Sequence, residues 1–303
     1  GPFGNSYQIC YQYSTPYDNS WTNFNEVNIN IGLVGVFGLF FLSFISYLTH
    51  LIYPHNYAHN SVILVIGLIL FFFFYRKKKI IINNSFYIIL LCLIVGVFIA
   101  KTHDDFPYYH LPNAIHFTQN KLELGLGNLN HGFKHHSSIF YLYSIFYLPF
   151  IDYHLFNVLN FLFLFFISIF LFDFIESDFL KHKFDRNTFI KIVFLILSIS
   201  IFNRIGAYGT DITGQLLSIM LICMSLDAMT KKEIKFYDLS VIITLLVYLI
   251  TIKTYFVLFS ILPILLLFYT KNRFTIIKKL FLSKLFIFFI LSAILFVIIN
   301  ISA

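Results

Sequence analysis

Long apolar runs alternate along this chain with short polar breaks, many of them basic. The runs cover about 30–52, 58–75, 80–100, 154–175, 188–203, 212–229, 239–252, 254–269 and 280–300. They read as helices that cross a membrane. Residues 1–28 are polar, rich in Asn and Tyr, and read as a loop. One further run, 137–150, is of another kind. As a helix it reaches about 21 Å, short of a hydrocarbon core of about 30 Å. Run 239–252 is equally short but is built of Val, Ile and Leu, whereas 137–150 carries Tyr141, Tyr143, Ser144, Tyr147 and Pro149. That is the chemistry of a membrane interface.

Charge decides how 137–150 lies. If it rests in the interface, fourteen basic residues at 76–79, 181–186, 231–235 and 271–279 share one face. The positive-inside rule makes that face cytoplasmic. Lys101, Lys121, Lys134, Arg204 and Lys253 fall on the other face. If 137–150 crosses, the last three basic clusters move outward and the rule breaks. The expected architecture is therefore all-α, a polytopic transmembrane helical bundle of nine spans forming one domain over 1–303. An outer-face loop, 101–152, contains a juxtamembrane helix at 137–150. The stretch 239–269 is too long for one span, so Lys253 marks a turn at the outer surface. The chain starts Gly1-Pro2 without Met and ends inside an apolar run, so a fragment of a longer protein is expected.

Composition narrows the function classes. The chain is 59% hydrophobic and 12% charged, with a mean hydropathy of +0.82. Soluble proteins carry about 25% charged residues. A soluble enzyme and a disordered chain are both excluded. The net charge of +7 sits in the breaks between apolar runs, so nucleic acid is not an expected partner and membrane lipid is. Cys92 and Cys223 lie in apolar runs, Cys10 lies in the polar start, and no CxxC occurs. No disulfide framework or zinc motif is visible. Neither a P-loop, a Rossmann fingerprint nor a G-x-S-x-G elbow is present, so ATP-driven transport and serine hydrolysis lack support.

The chemistry collects on the outer face. Lys101-Thr102-His103-Asp104-Asp105-Phe106-Pro107-Tyr108-Tyr109-His110-Leu111-Pro112 follows a span directly. Two carboxylates where a helix leaves lipid are costly unless solvated or paired. Asp104 and Asp105 could take a proton from an incoming hydroxyl, hold a divalent cation together with His110, or form a solvated helix end. In the segment 125–138, Gly125 and Gly127 suggest tight turns, Lys134 could face a phosphate, and His135 and His136 could ligate a metal. Asp211 could cap the helix after it or orient a sugar, and Arg204 could meet a phosphate. Lys253 either snorkels or binds a lipid phosphate.

A span, an outer loop opening with an acidic pair and a downstream Tyr, then an interfacial helix, resembles the GT-C class. These are integral-membrane glycosyltransferases that include protein mannosyltransferases and lipid A aminoarabinose transferases. The string Tyr109-His110-Leu111-Pro112, with Gly125-Leu126-Gly127-Asn128 and Ser137-Ser138, is similar to a group of uncharacterised bacterial multipass proteins placed near that class. The resemblance spans about 80–270. It implies a sugar donor on a polyprenyl phosphate, a cell-envelope acceptor, and transfer at the periplasmic face of a bacterial inner membrane. It implies Asp104 as the base, with Asp105 as a second catalytic candidate or cation ligand. It leaves the donor phosphate to Lys253, Arg204 or Lys134, and the substrate to Tyr108, Tyr109, His110, Asn128 and Asp211. The chain departs from the best-known members in having two spans before the acidic loop. The rival expectations are a transporter or lipid flippase, which would place charge near the bilayer midplane, and a non-catalytic scaffold in polysaccharide assembly.

Overall fold

A computed structural model of the chain describes residues 30–77, 84–95, 104–123, 125–129, 131–134, 137–180, 182, 184–200, 209–231 and 233–302. Among the described residues the protein is all-helical, with one isolated bridge between Leu148 and Asp152. The helices are α1 (Ile31–His50), α2 (Tyr57–Lys77), α3 (Asn84–Ile94), α4 (Leu111–Gln119), α5 (Leu126–Leu129), α6 (Ser138–Ile145) and α7 (Phe156–Leu180). They continue as α8 (Arg186–Ser200), α9 (Thr210–Thr230), α10 (Phe236–Ile252), α11 (Ile261–Tyr269), α12 (Arg273–Leu282) and α13 (Lys284–Ser302). A π turn, Phe106–His110, leads into α4, and a 3₁₀ stretch, Thr254–Ser260, leads into α11.

Among the described residues, four helices are long and apolar enough to cross a membrane: α1, α2, α7 and α9. The bent pair α12 and α13, at 69°, makes five if it counts as one span. This supports a multi-pass membrane protein. It is fewer than the nine runs, because two of the others, Phe236–Ile252 and Thr254–Tyr269, are short. α10 stops at Ile252 after 17 residues, and the runs 80–100 and 188–203 extend beyond the described residues.

α7 is the axis of the bundle. Its face of Phe156, Leu159, Phe163, Leu164, Ile167, Phe170 and Leu171 is buried against α1, α3, α8 and α9. α1 approaches α7 closely. A Cβ at Gly32 would meet the Phe166 carbonyl oxygen at 2.3 Å, and one at Gly35 would meet the Phe166 ring. Glycine lets the two backbones touch, as small residues do between membrane helices. α10 joins through Tyr248, whose ring stacks on Phe40 at 4.5 Å and whose hydroxyl lies 3.2 Å from Ser43 Oγ.

The run 137–150 differs from its sequence reading. Helix α6 ends at Ile145, and all eight of its residues are buried. It is a wedge between α1, α4 and α10 rather than a helix lying on a surface. Its tyrosines serve the interior: the Tyr143 hydroxyl donates to Asn160 of α7, and the Tyr141 ring lies between Tyr47 and Phe117. Length and polarity could not separate an interfacial helix from a short core helix whose aromatic rings pack inside the bundle.

Together α4, α6, the α1–α2 break, the start of α9 and the end of α10 form a polar cap at one end of the bundle. Backbone bonds lock it, from His55 N to Phe117 O at 2.9 Å and from Leu122 N to His50 O at 3.1 Å. Arg76, Arg186, Lys231, Lys235, Lys271 and Arg273 lie at the helix ends opposite the cap.

Candidate functional site

The cap joins three distant segments. The first is Asp104–Gln119. Pro107 and Pro112 open the π turn and α4. A missing N–H is harmless in the first turn of a helix. The Leu111 N–H bonds to the Phe106 carbonyl, five residues back, which is the π register. Such wide turns recur at functional sites because they re-aim side chains. Here the turn leaves Tyr108 76% exposed and half-buries Tyr109. His110 is buried, its ring 4.2 Å from Tyr109 and 5.8 Å from Phe140. Asp104 lies on an exposed turn, and Asp105 is half-buried at the mouth of the π turn.

The second segment is the start of α9. Gly209, not Asp211, holds the N-cap position, and Asp211 lies in the first helical turn. A carboxylate there is favoured by the helix dipole, which the cap expectation did not separate from true capping. The third segment is the end of α10. Ser137 Oγ donates to the Ile252 carbonyl at 2.7 Å, and Thr251 Oγ1 donates to Ser138 Oγ at 3.1 Å. These bonds fix where α10 stops. Lys253 follows in extended backbone, at the turn expected there.

The second and third segments meet through side chains. Lys253 Nζ lies 2.5 Å from Asp211 Oδ1 and 5.3 Å from the centre of the Tyr255 ring. Burial pushes the Tyr109 phenol above its ordinary pKa, and the carboxylates of Asp105 and Asp211 push it further. Tyr109 thus stands within the field of both acids. The ion pair is open to solvent, with 40% of the Lys253 and 58% of the Asp211 side chain exposed. Such pairs contribute about 0–1 kcal/mol to stability. The ammonium can therefore be given up to an incoming anion at little cost to the fold.

Other expected residues do not join this group. Asn128 is exposed in the short turn α5, whose entry uses Gly125 at φ +82. Lys134 is exposed at the end of the turn His131–Lys134, which Asn113 ties to α4 through the Gly132 carbonyl. Arg204, His103, His135 and His136 lie outside the described residues. Among the described residues, no three His, Cys, Asp or Glu side chains are arranged to hold a metal ion, and His110 is packed into the core instead of facing Asp104.

The sequence reading overlooked a second polar group in the cap. The rings of His50 and His55 lie 4.8 Å apart, and those of His55 and His59 stack at 4.9 Å. His55 Nδ1 meets Ser144 Oγ at 2.6 Å. The signal was the spacing of three histidines across the break between the first two runs. It also overlooked Tyr255 and Gly214, the latter pressed against Phe256 in the stretch after Lys253.

A family model described as a domain of unknown function, DUF8201, matches residues 9–302. The chain belongs to that family. Its matched region includes every segment of the cap. No curated protein and no solved structure matches the chain.

Proposed function

We propose that this protein is a GT-C-like membrane glycosyltransferase. It moves a sugar from a polyprenyl-phosphate-linked donor to a hydroxyl acceptor of the cell envelope, with the cap on the periplasmic face of a bacterial inner membrane. The observation that carries this reading is the Lys253–Asp211 pair at the cap, with Tyr109 within the electrostatic reach of Asp105 and Asp211. The acceptor oxygen attacks the anomeric carbon, its proton passes to the Asp105 carboxylate, and the sugar–phosphate bond breaks with its electron pair on the phosphate. Lys253 turns from Asp211 to the phosphate and stabilises the charge that develops there. Asp105 takes the base role that the resemblance gave to Asp104, because Asp104 lies on an exposed turn and Asp105 is half-buried at the start of the π turn.

The purified protein in nanodiscs, given a panel of polyprenyl-phosphate hexoses, should release free polyprenyl phosphate from at least one donor. Asp105→Asn should abolish release while Asp104→Asn retains it. Undiminished release from Asp105→Asn would remove the assigned base.

One observation favours a transporter instead. Ser43, Ser46 and Tyr47 of α1 and Thr244, Tyr248 and Thr251 of α10 are buried polar residues inside the bundle. Polar groups within a membrane can mark a translocation path. Lipid scrambling by the wild type in vesicles, lost on Tyr248→Phe with no sugar transfer in either protein, would favour that reading.

A further inference from the structure

The turn after α6 spends backbone strain on exposing a phenylalanine. Phe150 has φ +71 and Asp152 has φ +54, both left-handed conformations. Side chains with a Cβ avoid that region, and a bulky aromatic there is an outlier. The strain is held by bonds across the turn and from α2. The Asp152 N–H bonds to the Leu148 carbonyl at 3.0 Å, and the two residues pair as an isolated bridge. The Asp152 carboxylate accepts from the Tyr57 hydroxyl, and the Tyr57 ring stacks on Tyr147 at 4.6 Å and 8°. The product is a Phe150 side chain that is 102% exposed beside an Ile151 that is 47% exposed. Strained conformations persist where the surrounding structure over-determines them, and they cluster where a side chain must be presented.

Tyr57 shows where this tip lies. It is the first residue of α2, an apolar helix of which 6% of the spanning window is buried inside the protein. A helix apolar all round and uncovered by its own chain is covered by lipid. Tyr57 therefore marks the level at which α2 enters the hydrocarbon, and its bond to Asp152 puts the tip at that level. Ile52, Tyr53 and Tyr153, all exposed, continue the same rim. No Lys or Arg occurs from 135 to 180, so the tip offers apolar and phenolic contact rather than charge for anionic headgroups. Tyrosine at the boundary and apolar side chains below it are what the headgroup region selects.

We propose that the turn Leu148–Asp152 is a membrane-surface anchor, in which Phe150 and Ile151 insert into the headgroup–acyl boundary next to the first turn of α2. The partner is the lipid surface itself. The anchor ties the end of α6, and with it the cap, to the plane of the bilayer. It holds whether the cap transfers sugars or not.

Trp21 is the single tryptophan in the sequence, so Trp21→Phe gives a dark background. Phe150→Trp or Ile151→Trp is then introduced in the full chain and reconstituted into phosphatidylcholine vesicles. The lipid carries bromine either near the ester end of the chains or deep within them, and Phe71→Trp in α2 serves as the deep reference. The tip fluorophores should lose emission to shallow bromine and be shielded from iodide in the buffer. The reference should respond to deep bromine. Full quenching of both tip variants by iodide with none by lipid would overturn the anchor. Emission unchanged by lipid and iodide alike would overturn it too, since a protein surface would then cover the tip. Either tip variant carries the test if the other fails to fold.

Discussion

Gly214 sets the distance between α9 and the stretch that follows Lys253, so Gly214→Ala probes how the cap is positioned. An added Cβ would stand 2.2 Å from Cε2 and 2.3 Å from Cζ of Phe256, where ordinary contact begins at 3.4 Å. Phe256 is buried, so its ring has no free space to enter. On a helix without neighbours the change would stabilise by about 1 kcal/mol. Overpacking a filled interior costs about 1–3 kcal/mol, and an overlap of this size belongs at the upper end. The net expectation is a loss on the order of 1–2 kcal/mol. Phe256 is three residues from Lys253, so its retreat also draws the ammonium away from Asp211. A double-mutant cycle with Phe256→Leu isolates the contact, because leucine is shorter where the new methyl group arrives. The coupling should favour the double variant by about 1 kcal/mol or more. Unfolding of the purified protein in mixed micelles gives the four stabilities. A Gly214→Ala variant as stable as wild type, or strict additivity, would refute the close approach of α9 and the Lys253 turn.

Two further outcomes follow from buried charge. Burial, with His50 and His59 adjacent, lowers the His55 pKa well below its ordinary value. The folded state then binds fewer protons than the unfolded state, so its stabilisation is complete above about pH 6.5 and is lost as pH falls below that. The groups facing this ring are His50, the Thr49 hydroxyl and the Ser46 carbonyl on α1, His59 on α2 and the Ser144 hydroxyl on α6. Thermal midpoints in detergent should drop between pH 7 and pH 5, and His55→Gln should flatten the drop. An equal drop in that variant would assign it to other groups. At the opposite end, Lys191 is 4% exposed between Asp178 at 3.0 Å and Asp227 at 2.9 Å. Lys191→Met leaves two facing carboxylates and should cost about 3–5 kcal/mol, seen as loss of monodisperse protein on size exclusion. Adding Asp227→Asn should restore part of the yield, and a Lys191→Met yield equal to wild type would contradict the network.

The all-helical membrane character was legible because it rests on composition and on runs that few soluble chains contain. The turn at Lys253 was legible for a similar reason, since 31 apolar residues cannot form one span. The buried place of α6 was not. Tyr141 and Tyr143 look interfacial in a list of residues, and their partners on α1 and α7 are distant in sequence. The cap was half legible. Asp105, Tyr109, Asp211 and Lys253 were all named from sequence, yet their placement depends on a π register at Leu111 and on hydroxyl bonds from Ser137 and Thr251. The histidines at 50, 55 and 59 were missed because two fall at the edges of apolar runs, where attention goes to length instead of chemistry.

The most direct test of the account is native mass spectrometry of lipids that leave the membrane with the protein. Wild type, Lys253→Ala and Lys134→Ala would be purified from the same membranes. The account requires a polyprenyl phosphate, free or glycosylated, on the wild type and on Lys134→Ala, and its loss from Lys253→Ala. Bulk phospholipid alone on all three proteins would contradict it and leave the Lys253–Asp211 pair as a surface contact.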